Sequence, residues 1–408
     1  MAGSRASRLP GETGFREPVE SLEPRSRNLT REARFGGSRH LVSTDPLRLE
    51  EAFQRELDSL RADFGFPGAT AAFALADGSV RGFATGLSDL ESGAAMSPES
   101  RLLSASIGKT FVAATALALA GEGALSLDDR LQGWLGDQPW YPRLPNGSEI
   151  TLRHLLSHSA GLADHVNDDR FLRELDRLRA GTDSERDEVI EPPQLISYVL
   201  DREPLFPVGE GYSYTDTGYI LIGLVLERAA RRPYYDQARE RFLEPLGLSL
   251  TDPSDRRQLE GLVAGYMPSS NRPGVPDRIT LDDGSLSFNP AIEWTGGGLV
   301  TNSQDLVRWA KALYEGRAVS GDYLEDLLES GYRGQDAEAR YGLAVFLVDT
   351  PYGPSYGHGG WFPGYNSLLR YFPDHRIAVA IQVNRSYGND RPLYVNRLMG
   401  ALLAELGE

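Results

Sequence analysis

The chain contains no cysteine and almost no lysine. Zero cysteines exclude disulfides, a thiol nucleophile and thiolate metal sites, and leave the cellular compartment open. An excess of positive charge is missing too. Lysine and arginine total 42 against 58 acidic residues, and the net charge of −16 argues against a nucleic-acid groove or an anionic membrane surface as partner. Long hydrophobic runs are also absent: the apolar stretches at 111–120 and 219–226 are too short to span a bilayer. Residues 1–45 hold no apolar stretch of the kind a signal peptide needs, which favours the cytoplasm, and no internal repeat is visible.

What remains is a soluble globular composition, 40% hydrophobic and 25% charged, over 408 residues. That length predicts one large two-lobed unit or two domains. The lysines then stand out, because the sequence holds just two, Lys109 and Lys311. Arginine, which supplies positive charge elsewhere, stays protonated at any working pH, whereas a buried lysine can lose its proton and serve as a base. Lys109 lies three residues after Ser106 in Ser104-Ala105-Ser106-Ile107-Gly108-Lys109-Thr110-Phe111, which leads into a helix-forming run stopped by Gly121 and Gly123. With Ser104 or Ala105 at the cap, Ser106 and Lys109 fall in the first turn and share a face. The free N–H groups and positive dipole end of that turn suit a developing oxyanion. A capping serine beside a salt-bridging lysine also explains the pair. By chance, S-x-x-K arises on the order of one time in ten with so few lysines.

Residues 1–45, rich in Arg, Glu, Ser and Gly without apolar period, read as a mostly disordered tail, and a chain starting near Thr44 is expected to melt like the full-length one. Residues 46–63 place Leu47, Leu49, Phe53, Leu57 and Leu60 at helical spacing. Two strand-like runs, 69–76 and 80–87, flank Asp77-Gly78-Ser79, a strong hairpin signal. From 125 to 289 the pattern is helical pieces broken by Pro and Gly, including 151–158 and 217–231, with a charge-dense, solvated stretch at 168–191. Gly296-Gly297-Gly298 precedes a capped helix that starts at Ser303 and reaches Tyr314. Strand-like runs return at 341–348, 366–372 and 377–383, and 392–406 closes the chain as a helix. Strands at both ends with helices between predict one sheet built from both termini (46–125 and 295–408). A mostly helical lobe (126–294) is inserted, and the substrate cleft is expected at the seam.

Two further constellations lie downstream. Tyr214-Thr215-Asp216 follows a Gly-rich loop and precedes a helix, so the phenol of Tyr214 can point into a cleft; an aromatic packed over the loop is the plainer reading. Tyr356-Gly357-His358-Gly359-Gly360-Trp361 is glycine-dense where the C-terminal strands open, either to admit a ligand close to backbone or as a plain turn. In order and spacing, Ser106-Ile107-Gly108-Lys109, Tyr214-Thr215-Asp216 and His358-Gly359-Gly360 resemble the three motifs of the penicillin-recognising serine hydrolases. The resemblance is greatest to the class C β-lactamase, DD-peptidase and esterase branch. His154-Leu155-Leu156-Ser157-His158-Ser159-Ala160-Gly161-Leu162 resembles that branch's H-L-L-(S/T)-H-(S/T)-(S/A)-G-L block, and 214–223 and Gly297-Gly298-Leu299-Val300 match likewise. The resemblance runs from about residue 46 to the C-terminus. It implies an α+β, β-lactamase/transpeptidase-like fold with an antiparallel sheet, no cofactor and no metal. It also implies hydrolysis of a small ester, amide or D-amino-acid peptide through an acyl-enzyme. In that scheme Ser106 attacks the carbonyl, Lys109 and Tyr214 move the proton, and backbone N–H groups of Ser106 and Trp361 hold the oxyanion. Asp216, His358, Gly359 and Gly360 then contribute to binding the substrate.

Two positions depart from the family's pattern. Asp216 stands where asparagine is usual, and an ionised carboxylate cannot donate to a substrate carbonyl. His358 stands where penicillin-binding enzymes usually carry a lysine for a substrate carboxylate. Both changes favour esters, small amides and D-amino-acid peptides over β-lactams. Asp216 is expected either to face Lys109 or to cap the helix that follows. Gly353-Pro354-Ser355-Tyr356-Gly357 spells the G-x-S-x-G of α/β-hydrolases and makes Ser355 an alternative nucleophile. The Pro- and Gly-rich sequence after it, however, cannot start the helix that such an elbow needs. His154 and His158 are spaced as in H-E-x-x-H zinc sites, but Leu155 occupies the Glu position. The remaining alternative is a non-catalytic scaffold that keeps the fold, against which intact Ser106, Lys109 and Tyr214 argue.

Overall fold

The hairpin signal at Asp77-Gly78-Ser79 joins β1 (Gly68–Ala74) to β2 (Val80–Asp89), antiparallel, with Gly68 opposite Gly86 and Ala74 opposite Val80. The computed structural model describes residues 46–269, 277–329, 332–333 and 339–407, so the tail read from the sequence lies outside the described residues. A short β3 (Ala94–Ala95) pairs with β2. Six more strands come from the end of the chain: β4 (Tyr332–Arg333), β5 (Ala339–Tyr341), β6 (Phe346–Thr350), β7 (Gly353–Phe362), β8 (Tyr365–Phe372) and β9 (Ile377–Val383). Ala69 of β1 lies opposite Val383 of β9, which joins the two sets in the antiparallel order β3-β2-β1-β9-β8-β7-β6-β5-β4. One sheet is therefore made from both ends of the chain.

The helices that frame the site are α1 (Pro46–Phe64), α2 (Lys109–Gly121), α3 (Leu152–Leu156), α4 (Asp216–Ala230), α5 (Ser303–Tyr314) and α6 (Arg391–Leu406). Side-chain alternation in the central strands sets the layers. Ala69, Ala71 and Phe73 of β1 and Val379, Ile381 and Val383 of β9 share one apolar cluster with α1 and α6. Ala72, Ala74, Ala378 and Ala380 point the other way. These small side chains let α5 come close enough for Ser303 Oγ to meet Thr70 Oγ1 at 2.8 Å. On that face a single apolar cluster runs from the sheet through α2, α3 and α4 without a break. Phe111 of α2 stacks on Trp309 of α5 with centroids 3.8 Å apart, which fixes α2 over the sheet.

Three local features differ from the sequence reading. Ser106 is not in the first turn of an α-helix: a 3-10 turn, Ala105–Gly108, precedes α2, and Ala105 enters it with φ 48°. The glycine-dense stretch around His358 is no turn but the ten-residue strand β7. The run at 341–348 is broken near Ala344, at φ 60°, into the paired strands β5 and β6. No helix among the described residues is long and apolar enough to cross a membrane.

Candidate active site

Burial singles out the serine. From Arg101 to Leu119 every residue is buried except Ser106, which is partly exposed. The turn that carries it is clamped from below. Ser104 Oγ lies 3.2 Å from the Gly297 carbonyl oxygen and 3.1 Å from that of Leu299. A Cβ on Gly108 would lie 2.4 Å from the Gly297 carbonyl oxygen, so the triplet Gly296-Gly297-Gly298 forms the floor on which the turn rests. The left-handed φ of Ala105, unusual for a residue with a Cβ, is held by this packing and turns Ser106 outward.

Lys109 is fully buried, and its Nζ has three oxygen neighbours: Ser106 Oγ at 2.9 Å, the Gly296 carbonyl at 2.5 Å and Asp216 Oδ1 at 2.5 Å. An ammonium has three N–H donors, one for each. A carbonyl and a carboxylate can only accept, so they keep two N–H groups whatever the charge state. After loss of one proton, the lone pair can face only Ser106. Aromatic faces complete the pocket, with Nζ 4.9 Å from the Tyr214 centroid and 5.3 Å from that of Tyr219.

The start of α4 decides where Asp216 points. Thr215 is the cap, accepting from the Thr217 N–H through Oγ1 at 3.2 Å, which leaves the Asp216 carboxylate free to turn to Lys109. The Asp216 N–H donates to Asp164 Oδ1 at 3.1 Å. Burial, reinforced by the charge of Asp216, raises the Asp164 carboxyl well above its ordinary range, and the same two causes push Glu293 up to about 8. Glu293 therefore holds its proton at neutral pH, and the upward shift of Asp164 acts in the same direction, against a second and third negative charge beside Lys109. His165, which contacts Thr217 Oγ1 at 3.0 Å, is pushed down to about 4 by burial.

On β7, His358 is buried, and both ring nitrogens are used within the chain: Nε2 lies 3.0 Å from Tyr341 Oη and Nδ1 2.6 Å from the Gly359 carbonyl. Trp361 is 52% exposed and its indole N–H donates to the Ser386 carbonyl at 2.8 Å. Gly360 brings β7 against the nucleophile turn, since a Cβ there would sit 2.0 Å from the Ser104 carbonyl oxygen. Ser355, the alternative nucleophile, is fully buried within β7 and donates to the Val348 carbonyl at 3.1 Å. With a strand on either side and no helix after it, the α/β-hydrolase alternative is overturned. His154 Nδ1 accepts from the Thr151 N–H at 3.1 Å and so serves the cap of α3. No group of three or more metal-ligating side chains occurs among the described residues. Lys311, the second lysine, pairs with Glu315 at 2.8 Å.

The surroundings of Lys109 were only partly visible in the sequence. Gly296 had a signal in its triplet. Asp164, 52 positions from Asp216, and Glu293 had none, because only folding brings them together.

An antiparallel sheet with helices on both faces, carrying a Ser-x-x-Lys pair at a buried turn, defines the serine β-lactamase-like class. Residues 53–404 match the model of the Beta-lactamase family, and the chain belongs to that family. Penicillin-binding protein 4* of Bacillus subtilis is 25% identical over 289 residues, a match covering 69% of this chain and 60% of that relative's length. Esterase EstB of Burkholderia gladioli is 26% identical, covering 68% of this chain and 78% of the esterase. Among solved structures, a D-stereospecific amidohydrolase from Streptomyces sp. superposes with a TM-score of 0.73 at 26% identity, covering 86% of this chain and 97% of that one.

Proposed function

We propose that this chain is a serine hydrolase that cleaves small esters and amides through an acyl-enzyme on Ser106. The observation that carries the reading is the 2.9 Å contact between Lys109 Nζ and Ser106 Oγ, with the lysine wholly buried and the serine partly exposed. Loss of one proton leaves the Lys109 lone pair on Ser106, which it deprotonates as Oγ attacks the carbonyl carbon. The backbone N–H groups of Ser106 and Trp361 stabilise the resulting oxyanion, a contribution typically of about 3 kcal/mol per donor. Lys109 and Tyr214 pass the proton to the leaving group. The same pair then activates the water that frees Ser106.

The substrate class follows from charge. Asp216 can only accept, and His358 keeps its nitrogens inside, so neither offers a cation to a free carboxylate. That favours esters and amides, in keeping with the names of the esterase and the D-stereospecific amidohydrolase. A fluorophosphonate probe followed by peptide mass analysis tests the nucleophile. Label on Ser106 is the expected result. Label on another serine, or no label on an active enzyme, overturns it. Ser106→Ala should lower hydrolysis of a short p-nitrophenyl ester by at least about a thousand-fold at unchanged melting temperature.

A further inference from the structure

Two buried rings that the mechanism does not use, those of His158 and Tyr341, lie between Tyr214 and His358 of the third motif. His158, in the turn after α3, is fully buried and has a left-handed φ of 57°. It brackets Tyr214 on both sides: its carbonyl accepts from the Ser213 N–H at 3.0 Å, and its Nδ1 accepts from the Thr215 N–H at 3.2 Å. Its ring lies against the Tyr214 ring, centroids 4.1 Å apart. His158 Nε2 is 3.1 Å from Tyr341 Oη, which in turn is 3.0 Å from His358 Nε2.

We propose that His158 and Tyr341 are positioning residues, which with His358 form a one-way hydrogen-bond chain holding Tyr214 in register with the Gly359–Trp361 segment of β7. The direction follows from the two ends. The Thr215 N–H can only donate, so His158 Nδ1 accepts and its proton sits on Nε2. That N–H donates to Tyr341 Oη. At the other end the Gly359 carbonyl can only accept, so His358 carries its proton on Nδ1 and leaves Nε2 open. The Tyr341 proton then has two acceptors, His358 Nε2 at 3.0 Å and Tyr219 Oη, whose own proton goes to the Leu156 carbonyl, and the proposed chain takes the first. The two backbone partners thus give the two imidazoles opposite tautomers.

Their surroundings keep both rings neutral. Burial is the main cause, and Lys109 faces each of them; His158 also feels His358, while His358 feels Arg370 and Arg391. A second proton on His158 would set an N–H against the Thr215 N–H, and one on His358 would turn Tyr341 from donor to acceptor. The chain deepens the serine hydrolase reading and rests on it for its catalytic consequence: it aims the Tyr214 phenol and β7 at the same point. Such registration matters because a misplacement of about 1 Å can cost 100-fold in rate.

Tyr341→Phe removes the middle link and keeps the ring. The expected result is a kcat lower by roughly ten-fold with KM changed less than about two-fold, at a melting temperature close to wild type. The tautomers are read separately, without substrate, by long-range nitrogen–proton NMR on histidine-labelled protein, with signals assigned through His358→Gln and His158→Gln. Wild type should show His158 protonated at Nε2 and His358 at Nδ1, and in Tyr341→Phe the His358 signals should move. His358 protonated at Nε2 in wild type, or wild-type kcat in Tyr341→Phe with unmoved His358 signals, overturns the chain. Fluorophosphonate label away from Ser106 overturns the nucleophile instead, so the two failures are distinct.

Discussion

Asp216 sits 2.5 Å from the Lys109 nitrogen, where a carboxylate stabilises the ammonium and opposes the free amine that the chemistry needs. Asp216→Asn removes the charge and keeps an acceptor in the same place, and should therefore change kcat for a short p-nitrophenyl ester; an unchanged kcat contradicts this role. Thr215 remains the cap, so any fall in melting temperature in this variant reports loss of the ion pair to buried Lys109 rather than of the helix end. Lys109→Arg should be as damaging as Lys109→Ala in the ester assay, since a guanidinium does not give up its proton and the pocket is closed. Glu293 bears on stability. In the unfolded chain a glutamate ionises near pH 4.3, whereas burial holds it protonated to about 8 in the fold. Unfolding thus releases a proton between these values, and stability falls as pH rises through the window. Glu293→Gln should raise the melting temperature more at pH 8 than at pH 5. Residue identity was legible at this scale but side-chain direction was not. Thr215 and Asp216 can both cap a helix, and the sequence does not say which one does.

At the scale of elements, β7 is the part that the sequence hid. Glycines at 357, 359 and 360 erase the alternating apolar signal by which the hairpin at Asp77-Gly78-Ser79 was read. They are needed for contacts with distant segments. A Cβ at Gly360 would meet the Ser104 carbonyl at 2.0 Å and Ser367 Oγ at 2.4 Å, and the first of these is backbone that cannot swing away. Gly360→Ala should cost about 1–3 kcal/mol in urea unfolding and slow fluorophosphonate labelling, because the strand can only retreat by moving the nucleophile turn. The 3-10 turn at Ser106 was illegible for a related reason. Its left-handed entry at Ala105 depends on the floor at Gly297, almost two hundred positions away. Helices α1, α4 and α6 were read almost to the residue because their signal is local.

Across the whole molecule, the distribution of strands at both ends was enough to foresee a sheet shared by them, though not its order. The two ends also share one apolar layer, in which α6 supplies Tyr394, Val395, Leu398, Met399, Leu402 and Leu403 beside Phe53 and Leu57 of α1. Arg397 ties the helices further, pairing with Glu56 and, at 2.6 Å, with Asp63. A chain ending at Asp390 should lose its near-ultraviolet circular dichroism throughout; a native spectrum would show that the layer is not shared. The same closure sets an order in time. The Gly68 N–H bonds to Asn384 Oδ1, 316 positions away. A ribosome adding roughly 5–20 residues per second leaves one edge of β1 waiting for roughly fifteen seconds to a minute. Throughout that interval the nascent polypeptide presents an open strand edge to its neighbours, a hazard for chaperones to cover. Ser106 leaves the ribosome well before β7, the strand that backs it. A ribosome-stalled chain that stops before β7 should stay unlabelled by fluorophosphonate.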